Sequence, residues 1–440
     1  MLHASCRNFS TSHKISFSFS LALRKPTWYN AIPLSTNVHR RNIMNQKELN
    51  ELRRRFRPDR CNISKIFGCY VNSNKEIIAW IDTSLGLMQP EEQEMYLALL
   101  KKTLSGSLGK NLVDIVFSTE QVADSDEHRL LQTIRQTEGK DPNAREALFR
   151  RIIDALDMQE SNYLILLAAD AYDVPHRGKD DILLADAGDT VFRYFVCAAC
   201  PVKAPTLALR YDIERNEFHP GSTGHVALAP EFGFLYPAFD DRAANIYNAL
   251  FYAKNPAELP QDVIDALFRV EPPMSSAEQK NAFDTALTEA LDRDCSYDVV
   301  QAVHEQIRAR IEDHRETHDP ESLTLTARDV GGILADSGVA PERVETFQKA
   351  CAKRYGEDAA LAPGNIIESK KFEVTTPEVK ISIAPENSYL IETRIIDGRK
   401  YLLIPADEGV EVNGIGVCIL GMQRTWSGRR CKPFRNDQDE

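Results

Sequence analysis

The segment FVCAACPVKAP (Phe195–Pro205) carries two cysteines, Cys197 and Cys200, at the C-x2-C spacing that zinc sites and redox dithiols use. A structural zinc ion takes four ligands, so this pair would need two more. His219 and His225 are the nearest candidates, and they complete a C-x2-C-x18-H-x5-H pattern. Its central interval is longer than the usual interval of about 12 to 15 residues. The pattern is therefore a weak indication of a metal site.

The residues around the two cysteines favour a structural role over a redox role. A redox dithiol lowers its thiol pKa at the N-terminus of a helix. This pair instead follows an apolar, strand-like run, and Pro201 and Pro205 disfavour a following helix. Free cysteine is among the most buried residue types. We therefore predict that Cys197 and Cys200 pack in a buried strand and that neither binds a metal.

A second group of polar residues lies at the ends of predicted strands. Asp170, Asp173 and His176 follow the buried strand predicted at Tyr163–Ala169, and Lys203 lies beyond the next one along the chain. Since α/β folds bind ligands beyond the carboxyl ends of their strands, these four residues are the candidate site of an enzyme or small-ligand binder. Polar residues that cap a strand and begin a loop give the same pattern, and this second interpretation is favoured.

Two charged clusters have simpler explanations than a site. Asp240–Arg242 follows an aromatic run, which favours a turn or a buried ion pair. The basic run Arg53–Arg57 lies on the first predicted helix, where Glu48 and Glu51 precede it, which favours a solvated helix face over a nucleic-acid contact.

The sequence contains none of the catalytic and cofactor motifs that can be recognised by spacing. The nucleotide-binding P-loop, the dinucleotide fingerprint, the G-x-S-x-G elbow and the H-E-x-x-H zinc motif are all absent. The sequence therefore identifies no cofactor and no catalytic residue.

Charge and cysteine usage restrict the partners and the compartment. The 440 residues carry a net charge of −12, and residues 1–43 contain six Lys or Arg and no Asp or Glu, which leaves −18 on the chain from Met44 onward. Such a body repels nucleic-acid backbones. Nine scattered cysteines do not resemble a secreted disulfide framework. No apolar run is long enough to cross a membrane. We expect a soluble cytoplasmic protein that binds neither nucleic acid nor membrane.

The patterns divide the chain into five parts. Residues 1–43 are a non-native extension from a wrong start, with Met44 as the first residue, or a transit peptide; a secretory signal is the weakest alternative. Residues 44–255 interleave strands and helices, 256–360 are helical, 361–417 are β-rich, and 418–440 form an atypical tail. The predicted fold class is therefore α+β, with a mixed N-terminal sheet, a helical middle segment and a β-rich C-terminal element.

Individual elements follow from periodicity and turn residues. In the C-terminal part, Asp397-Gly398 between two alternating apolar runs predicts a hairpin. In the first part, Thr119–Thr137 is predicted as one helix and Leu207–Ile213 as an openly alternating strand. The helices predicted in the middle segment are Val263–Phe268, Ala277–Leu291, Tyr297–Ile311, Ala327–Ala335 and Pro341–Tyr355.

Several segments resemble a bacterial family of unknown function, domain of unknown function family 4317. The resemblance runs from about Met44 to about Ile415 and implies a cytoplasmic protein of Firmicutes that begins near Met44, without lending any catalytic residue. It also makes the wrong start the favoured account of residues 1–43. The segments that carry it are Arg53–Asn72, Cys200–Pro205, Phe232–Tyr247, Lys371–Ile383 and Arg394–Ile415.

Two functional hypotheses follow from the sequence. The favoured one is a non-enzymatic interaction or regulatory protein with a protein partner that the sequence does not identify. The alternative is an enzyme or small-ligand binder with its site near Asp170, Asp173, His176 and Lys203.

Overall fold

The computed structural model describes most of the chain from Met44 to Val417. The described residues are 44–157, 161–177, 183–184, 191–222, 224–356, 359–407, 409–412 and 414–417. The residues predicted as an N-terminal extension and an atypical tail, 1–43 and 418–440, lie outside this part of the chain. The predicted limits between the other parts stay predictions.

Strands and helices alternate in the first half of the chain, and helices followed by hairpins make up the second. The strands of the first half are β1 (Lys65–Val71), β2 (Ile77–Ser84), β3 (Leu112–Val116), β4 (Asn162–Asp173), β5 (His176–Arg177), β6 (Leu183–Leu184), β7 (Val191–Lys203), β8 (Leu207–Asp212), β9 (Glu217–Ser222), β10 (Val226–Ala227), β11 (Phe232–Tyr236), β12 (Ala238–Asp240), β13 (Ala243–Asn245) and β14 (Asn248–Ala253). Its helices are α1 (Gln46–Arg55), α2 (Pro90–Lys102), α3 (Thr119–Asp124), α4 (Asp126–Gln136), α5 (Pro142–Ala155) and α6 (Gln261–Phe268).

The second half begins with helices α7 (Ser276–Leu291), α8 (Tyr297–Thr317), α9 (Ala327–Asp336), α10 (Pro341–Tyr355) and α11 (Pro363–Ile366). Three hairpins follow, formed by β15 (Phe372–Thr375) and β16 (Lys380–Ile383), β17 (Glu392–Ile396) and β18 (Arg399–Leu403), and β19 (Val410–Val412) and β20 (Ile415–Val417). The predicted α+β class is confirmed, because the chain combines helices with sheets whose strands are antiparallel.

The central sheet has the strand order β2-β1-β4-β7-β11-β14-β3, and every neighbouring pair is antiparallel. The long strand β7 pairs with β4 over twelve residues, and on its other side it pairs with β11 and then β10. Consecutive side chains of a strand point to opposite faces, so each strand contributes to two separate cores.

Helices cover both faces of this sheet. Leu167 of β4 lies in a core that α4, α5 and α6 cover, whereas its neighbour Leu166 lies in the core under α1 and α2. Both side chains are fully buried. The central strands are therefore apolar on both faces, which explains why β4 and β7 lack a clear polar alternation.

The middle helices have a core of their own. Phe283 of α7, Val303 of α8, Val330 of α9 and Phe347 of α10 are buried together in a third cluster. A capping box at Ser275 begins α7, where the serine side chain accepts the backbone N–H of the third helical residue. Among the described residues, no helix is both long enough and apolar enough to cross a membrane.

Local sequence predicts most of these elements, with informative exceptions. Asp397 and Gly398 both have positive φ and join β17 to β18, so the predicted hairpin is confirmed. The single helix predicted over Thr119–Thr137 is wrong. Ser125 is extended there and its hydroxyl accepts the backbone N–H of His128, which ends α3 and begins α4.

Candidate functional site

The carboxylate of Asp170, predicted at a strand end, is buried and saturated with hydrogen bonds. Its side chain accepts two bonds from the Arg55 guanidinium, at 2.8 and 3.1 Å, and one from the backbone N–H of Asn62 at 2.8 Å. The Tyr194 hydroxyl donates a fourth at 2.8 Å. The acid is 5% exposed. With both oxygens occupied by donors, it offers no free lone pair to a substrate proton.

A second layer of polar contacts holds the Asp170–Arg55 pair in place. The Arg55 guanidinium lies 4.4 Å from the centre of the Tyr172 ring, and the Tyr172 hydroxyl donates to Glu51. Arg242 donates two bonds to the Glu51 carboxylate, at 3.0 and 3.3 Å. The network therefore ties α1 to β4 and to the turn between β12 and β13.

Helix geometry explains why α1 can supply this network. Glu48, Glu51 and Arg55 are three and four residues apart, so they share one face of the helix. The backbone N–H of Arg242 donates to Glu48 at 3.1 Å. Burial raises the pKa of the Glu48 carboxyl, although hydrogen bonds from the backbone of Asn45 and Arg242 counteract the shift.

The basic run on α1 is not the solvated face that the sequence favours. Arg53 donates to the carbonyl oxygens of Leu104 at 2.6 Å and Gly106 at 2.8 Å, and Arg55 pairs with Asp170. Arg54 is exposed. The prediction is wrong for Arg53 and Arg55 because their partners lie 51 and 115 residues away, beyond any local pattern.

By contrast, the turn or ion pair predicted at Asp240–Arg242 is confirmed: Arg242 pairs with Glu51, and positive φ at residues 241 and 242 forms a two-residue turn.

The pKa values of Arg55, Tyr194 and Tyr172 are raised, so none of these side chains is a nucleophile or a general base at neutral pH. Burial lowers the pKa of Arg55, but the hydrogen bond and charge of Asp170 outweigh it and raise the pKa overall. Burial, together with the charge of Asp170, holds the pKa of Tyr194 well above its usual range. Burial also raises the pKa of Tyr172 to about 12, with Glu51 adding to the shift. These groups keep their ordinary charges at neutral pH and form a structural clamp.

The other predicted members of this site do not join Asp170. Asp173 is exposed at the end of β4, and His176 begins β5, with its side chain outside the described part of the chain. Lys203 is exposed at the far end of β7. Since Asp173 pairs with Val191, twelve residues earlier in β7, Lys203 lies about 40 Å from that end of the sheet.

The predicted convergence is therefore wrong, and antiparallel pairing is the reason. Carboxyl ends of strands meet at one edge only in a parallel sheet. In this sheet β4 and β7 run in opposite directions, so the carboxyl end of one lies beside the amino end of the other.

The C-x2-C pair lies in a buried strand, as predicted. Cys197 and Cys200 both belong to β7 and are at most 1% exposed. They are three residues apart in a strand, so their thiols point to opposite faces: Cys197 lies in the core under α4 to α6 and Cys200 in the core under α1 and α2. One metal ion or one disulfide cannot span them.

Burial keeps both thiols protonated. It raises the pKa of Cys200 to about 12 and that of Cys197 well above its usual range. His219 lies on β9, and the ring of His225 packs edge-on against Tyr70 at 6.1 Å. Across the described ranges, no group of three or more His, Cys, Asp or Glu residues is placed to hold a metal ion. Cys197 and Cys200 therefore cannot be two ligands of one metal ion, as the C-x2-C…H-x5-H pattern would require.

The feature with the clearest functional geometry is the hairpin of β8 and β9, named here the β8–β9 arm (residues 207–222). Among the strands that the structure describes, β8 and β9 pair only with each other. Leu207, Leu209 and Tyr211 alternate along β8 and are 85%, 71% and 50% exposed. Phe218, opposite Tyr211, is 67% exposed, and the two rings lie 5.4 Å apart. These side chains share one face, because directly opposed residues of an antiparallel pair do.

The opposite face of the β8–β9 arm is polar. Arg210 lies opposite His219, and Asp212 lies opposite Glu217. The arm is therefore amphipathic, with an uncharged apolar face that nothing among the described residues covers. The alternation in LALRYDI predicts the strand and its apolar face, but no local pattern could show that the face is left uncovered.

A protein-family model described as "Domain of unknown function (DUF4317)" matches residues 44–415 of the chain. These limits agree with those of the resemblance seen in the sequence, about Met44 to about Ile415. A search of curated proteins finds no match.

Proposed function

The chain belongs to the family described as Domain of unknown function (DUF4317), and from that premise we propose a non-enzymatic interaction protein that assembles with a second copy of itself through the β8–β9 arm. The observation that carries this proposal is the uncovered apolar face of the arm. The closed network around Asp170 supports it, because the acid that could have served an enzyme is saturated by Arg55, Asn62 and Tyr194.

The β8–β9 arm needs a cover to be stable in water. An isolated two-stranded hairpin is marginally stable at best, and a third strand or a packed surface is normally required. Leu207, Leu209 and Phe218 are each at least 67% exposed, and apolar patches of this kind mark association surfaces. Burying these side chains against another apolar surface stabilises the association by about 25 cal/mol for each Å² of apolar surface removed from water.

A second copy of the chain is the occupant that best fits the chemistry of this face. The face contains no charged side chain, so it selects neither an acidic nor a basic partner. Two such faces pack against each other about 10 Å apart, as in a β-sandwich. A two-fold axis then gives each copy the same contact, with Leu209 and Tyr211 packed on their equivalents. The charged residues Arg210 and Asp212 stay in water.

We also place this protein in the bacterial cytoplasm. Cysteine chemistry supports this location, because the six described cysteines are all free. Burial raises the thiol pKa of Cys69 to about 12 and that of Cys351 to about 11, so these thiols are unreactive structural residues. Such a chain gains nothing from an oxidising compartment.

The test is the oligomeric state of matched variants of the full chain. Leu209→Asp places a charge on the apolar face, whereas Ala208→Asp places the same charge on the polar face of the same strand. Light scattering after size-exclusion chromatography should give a dimer for the unaltered protein and for Ala208→Asp, and a monomer for Leu209→Asp. Circular dichroism should be the same for all three.

A monomer of unaltered protein at about 100 µM would rule out the second copy. If a different protein then co-purified with unaltered chain and with Ala208→Asp, but not with Leu209→Asp, the arm would be a docking site for another partner. Dimers of equal stability in all three forms would place the interface elsewhere on the molecule.

A further inference from the structure

A cleft of about 780 Å³ lies between the first two C-terminal hairpins. The turn between β15 and β16, with the start of β16, forms one side, and β17 and β18 form the other. This volume is within the range of small-molecule sites, roughly 300 to 1,000 Å³. The side chains on which the argument depends are Val379, Ile381, Ile395, Lys400 and Leu402.

The walls of the cleft are aliphatic and open to water. Ile381 and Leu402 are half-buried, whereas Val379 is 53% exposed and Ile395 is 73% exposed. An apolar chain laid along these side chains would remove both its own surface and theirs from water, which is favourable. The walls therefore favour a ligand with an aliphatic body.

The side chain of Lys400 projects from the same face as the aliphatic side chains of its hairpin. Lys400 lies directly opposite Ile395, and Leu402 is two residues further along β18. Directly opposed residues of an antiparallel pair share a face, and so do residues two apart in one strand. Lys400 is nearer the turn at residues 397–398, and Leu402 lies about 7 Å beyond it.

The cleft carries positive charge that its own lining does not balance. No Asp or Glu is among the described residues that line it, and the two charged ones are Arg394 and Lys400. The Arg394 guanidinium donates to Glu392 at 2.6 and 3.0 Å, outside the lining. No carboxylate among the described residues lies within 4.0 Å of the Lys400 ammonium.

This local charge is opposite to that of the whole protein, which has a net charge of −12. An ammonium group without a carboxylate beside it attracts an anionic group of a ligand. The aliphatic walls and the single ammonium therefore match a molecule with an apolar chain and one negative end.

We infer that this cleft binds an aliphatic carboxylate, an alkyl chain that ends in a single carboxylate group. The carboxylate pairs with Lys400 near the turn, and the alkyl chain lies against Ile395, Leu402 and Ile381. This inference does not depend on the proposed assembly through the β8–β9 arm, because the cleft and the arm share no residues.

The test compares octanoate, 1-octanol and octyltrimethylammonium, which share an alkyl chain and differ in the charge of the head group. Calorimetric titration of the full chain with millimolar probe should give the lowest dissociation constant for octanoate. We expect it to be about threefold to fivefold lower than that of 1-octanol, the effect of one ion pair near the surface. Octyltrimethylammonium should bind most weakly, because the Lys400 ammonium repels it.

Two substitutions of Lys400 test its role. Lys400→Met keeps an unbranched side chain and loses the charge, so octanoate and 1-octanol should bind with equal affinity. Lys400→Glu reverses the charge, so octyltrimethylammonium should become the tightest of the three probes. Such a reversed preference is a gain of binding that a misfolded variant would not produce.

Arg399→Met is the matched control, since Arg399 precedes Lys400 in β18 and lies opposite Ile396 on the other face of the hairpin. It removes the same charge from outside the cleft and should bind octanoate as the unaltered chain does. Leu402→Asp places a carboxylate on the apolar wall and should abolish octanoate binding. Leu209→Asp, which alters the β8–β9 arm, should leave this binding unchanged.

Equal affinity of the three probes for the unaltered chain would overturn the role of Lys400. Absence of binding at millimolar octanoate, or unchanged binding by a folded Leu402→Asp, would overturn the site itself. Equal losses in Lys400→Met and Arg399→Met would attribute the attraction to net charge, and a loss in Leu209→Asp would place the probe on the arm. Either result would contradict the inference, and circular dichroism of each variant separates a lost site from a lost fold.

Discussion

Two antiparallel strand pairs in this molecule both carry large apolar side chains but have opposite environments. The β4–β7 pair extends over twelve residue pairs and has helices on both faces. The β8–β9 arm extends over six, and no helix among the described residues covers either of its faces. Both pairs carry large apolar side chains, yet Leu167 of β4 is fully buried and Leu209 of the arm is 71% exposed. Apolar residues predict strands in both places, in a continuous run in β4 and β7 and in alternation in β8, but whether another element covers these side chains depends on the tertiary structure.

Charged groups differ between the two pairs in the same way. Asp170 in β4 is buried, and four hydrogen bonds fix the position of its carboxylate. On the arm, Asp212 lies 3.7 Å from Arg215, which is largely exposed, where an ion pair contributes little. In the sheet, the charged pair of Asp170 and Arg55 stabilises the fold. On the arm, the charged residues Arg210 and Asp212 form the face that stays in water.

The largest expected effect comes from breaking the buried pair. Asp170→Ala leaves the Arg55 guanidinium, whose side chain is 12% exposed, without its carboxylate. We expect a loss of about 3 to 5 kcal/mol in the free energy of unfolding, measured by urea denaturation. Asp173→Ala, an exposed acid on the same strand, should change it by less than about 0.5 kcal/mol. Similar losses in both variants would mean that the network around Asp170 is not the stabilising feature.

Truncating one leucine in each strand pair tests the comparison directly. Leu167→Ala removes buried methyl groups and should cost about 2 to 5 kcal/mol. Leu209→Ala removes exposed ones and should cost less than about 0.5 kcal/mol when the protein is dilute enough to be monomeric. Thermal unfolding at low protein concentration measures both, and an equal cost would show that the arm is packed against the body.

The smallest effect concerns Asp114, a partly buried acid in the edge strand β3 of the sheet. Burial, with the nearby charge of Asp240, raises the pKa of Asp114 in β3 to about 7, and its Oδ1 is buried with no hydrogen-bond partner among the described residues. The unfolded chain releases this proton near pH 3.9 and the folded chain near pH 7. The folded state therefore holds more protons between these values, and stability falls as pH rises through them.

Asp114→Asn should remove this dependence. Relative to the unaltered protein, it should gain about 2 kcal/mol in the free energy of unfolding between pH 5 and pH 8, measured by urea denaturation at each pH. Asp124→Asn, whose side chain is 89% exposed, reports the effect of losing a surface charge. A gap between Asp114→Asn and the unaltered chain that does not change with pH would contradict the raised pKa.

Much of the local structure can be predicted from the sequence, and the failures of this prediction have physical causes. The turn at Asp397-Gly398, the buried strand around Cys197 and the helix from Pro341 depend on neighbours within a few residues. The break at Ser125 was missed because a serine that caps a helix also fits inside one. The second strand of the arm was missed because EFHPGS contains both Pro and Gly, which depress strand propensity.

The candidate sites were less accessible because they depend on contacts between distant segments. Asp170 was identified as a buried strand-end residue, but its partner Arg55 lies 115 residues earlier in the chain.

The sequence by itself determined the α+β class, the extent of the family match from Met44, the paired strands and the structural character of Cys197. These properties follow from periodicity, turn residues and composition, which act over short distances. Tertiary structure alone decided that hydrogen-bond donors occupy both carboxylate oxygens of Asp170 and that Lys203 lies at the opposite end of the sheet. It also decided that no described residue covers the apolar face of the β8–β9 arm. The physical reason is that strand direction and cover depend on which distant segments pack together, and only the folded chain specifies that packing.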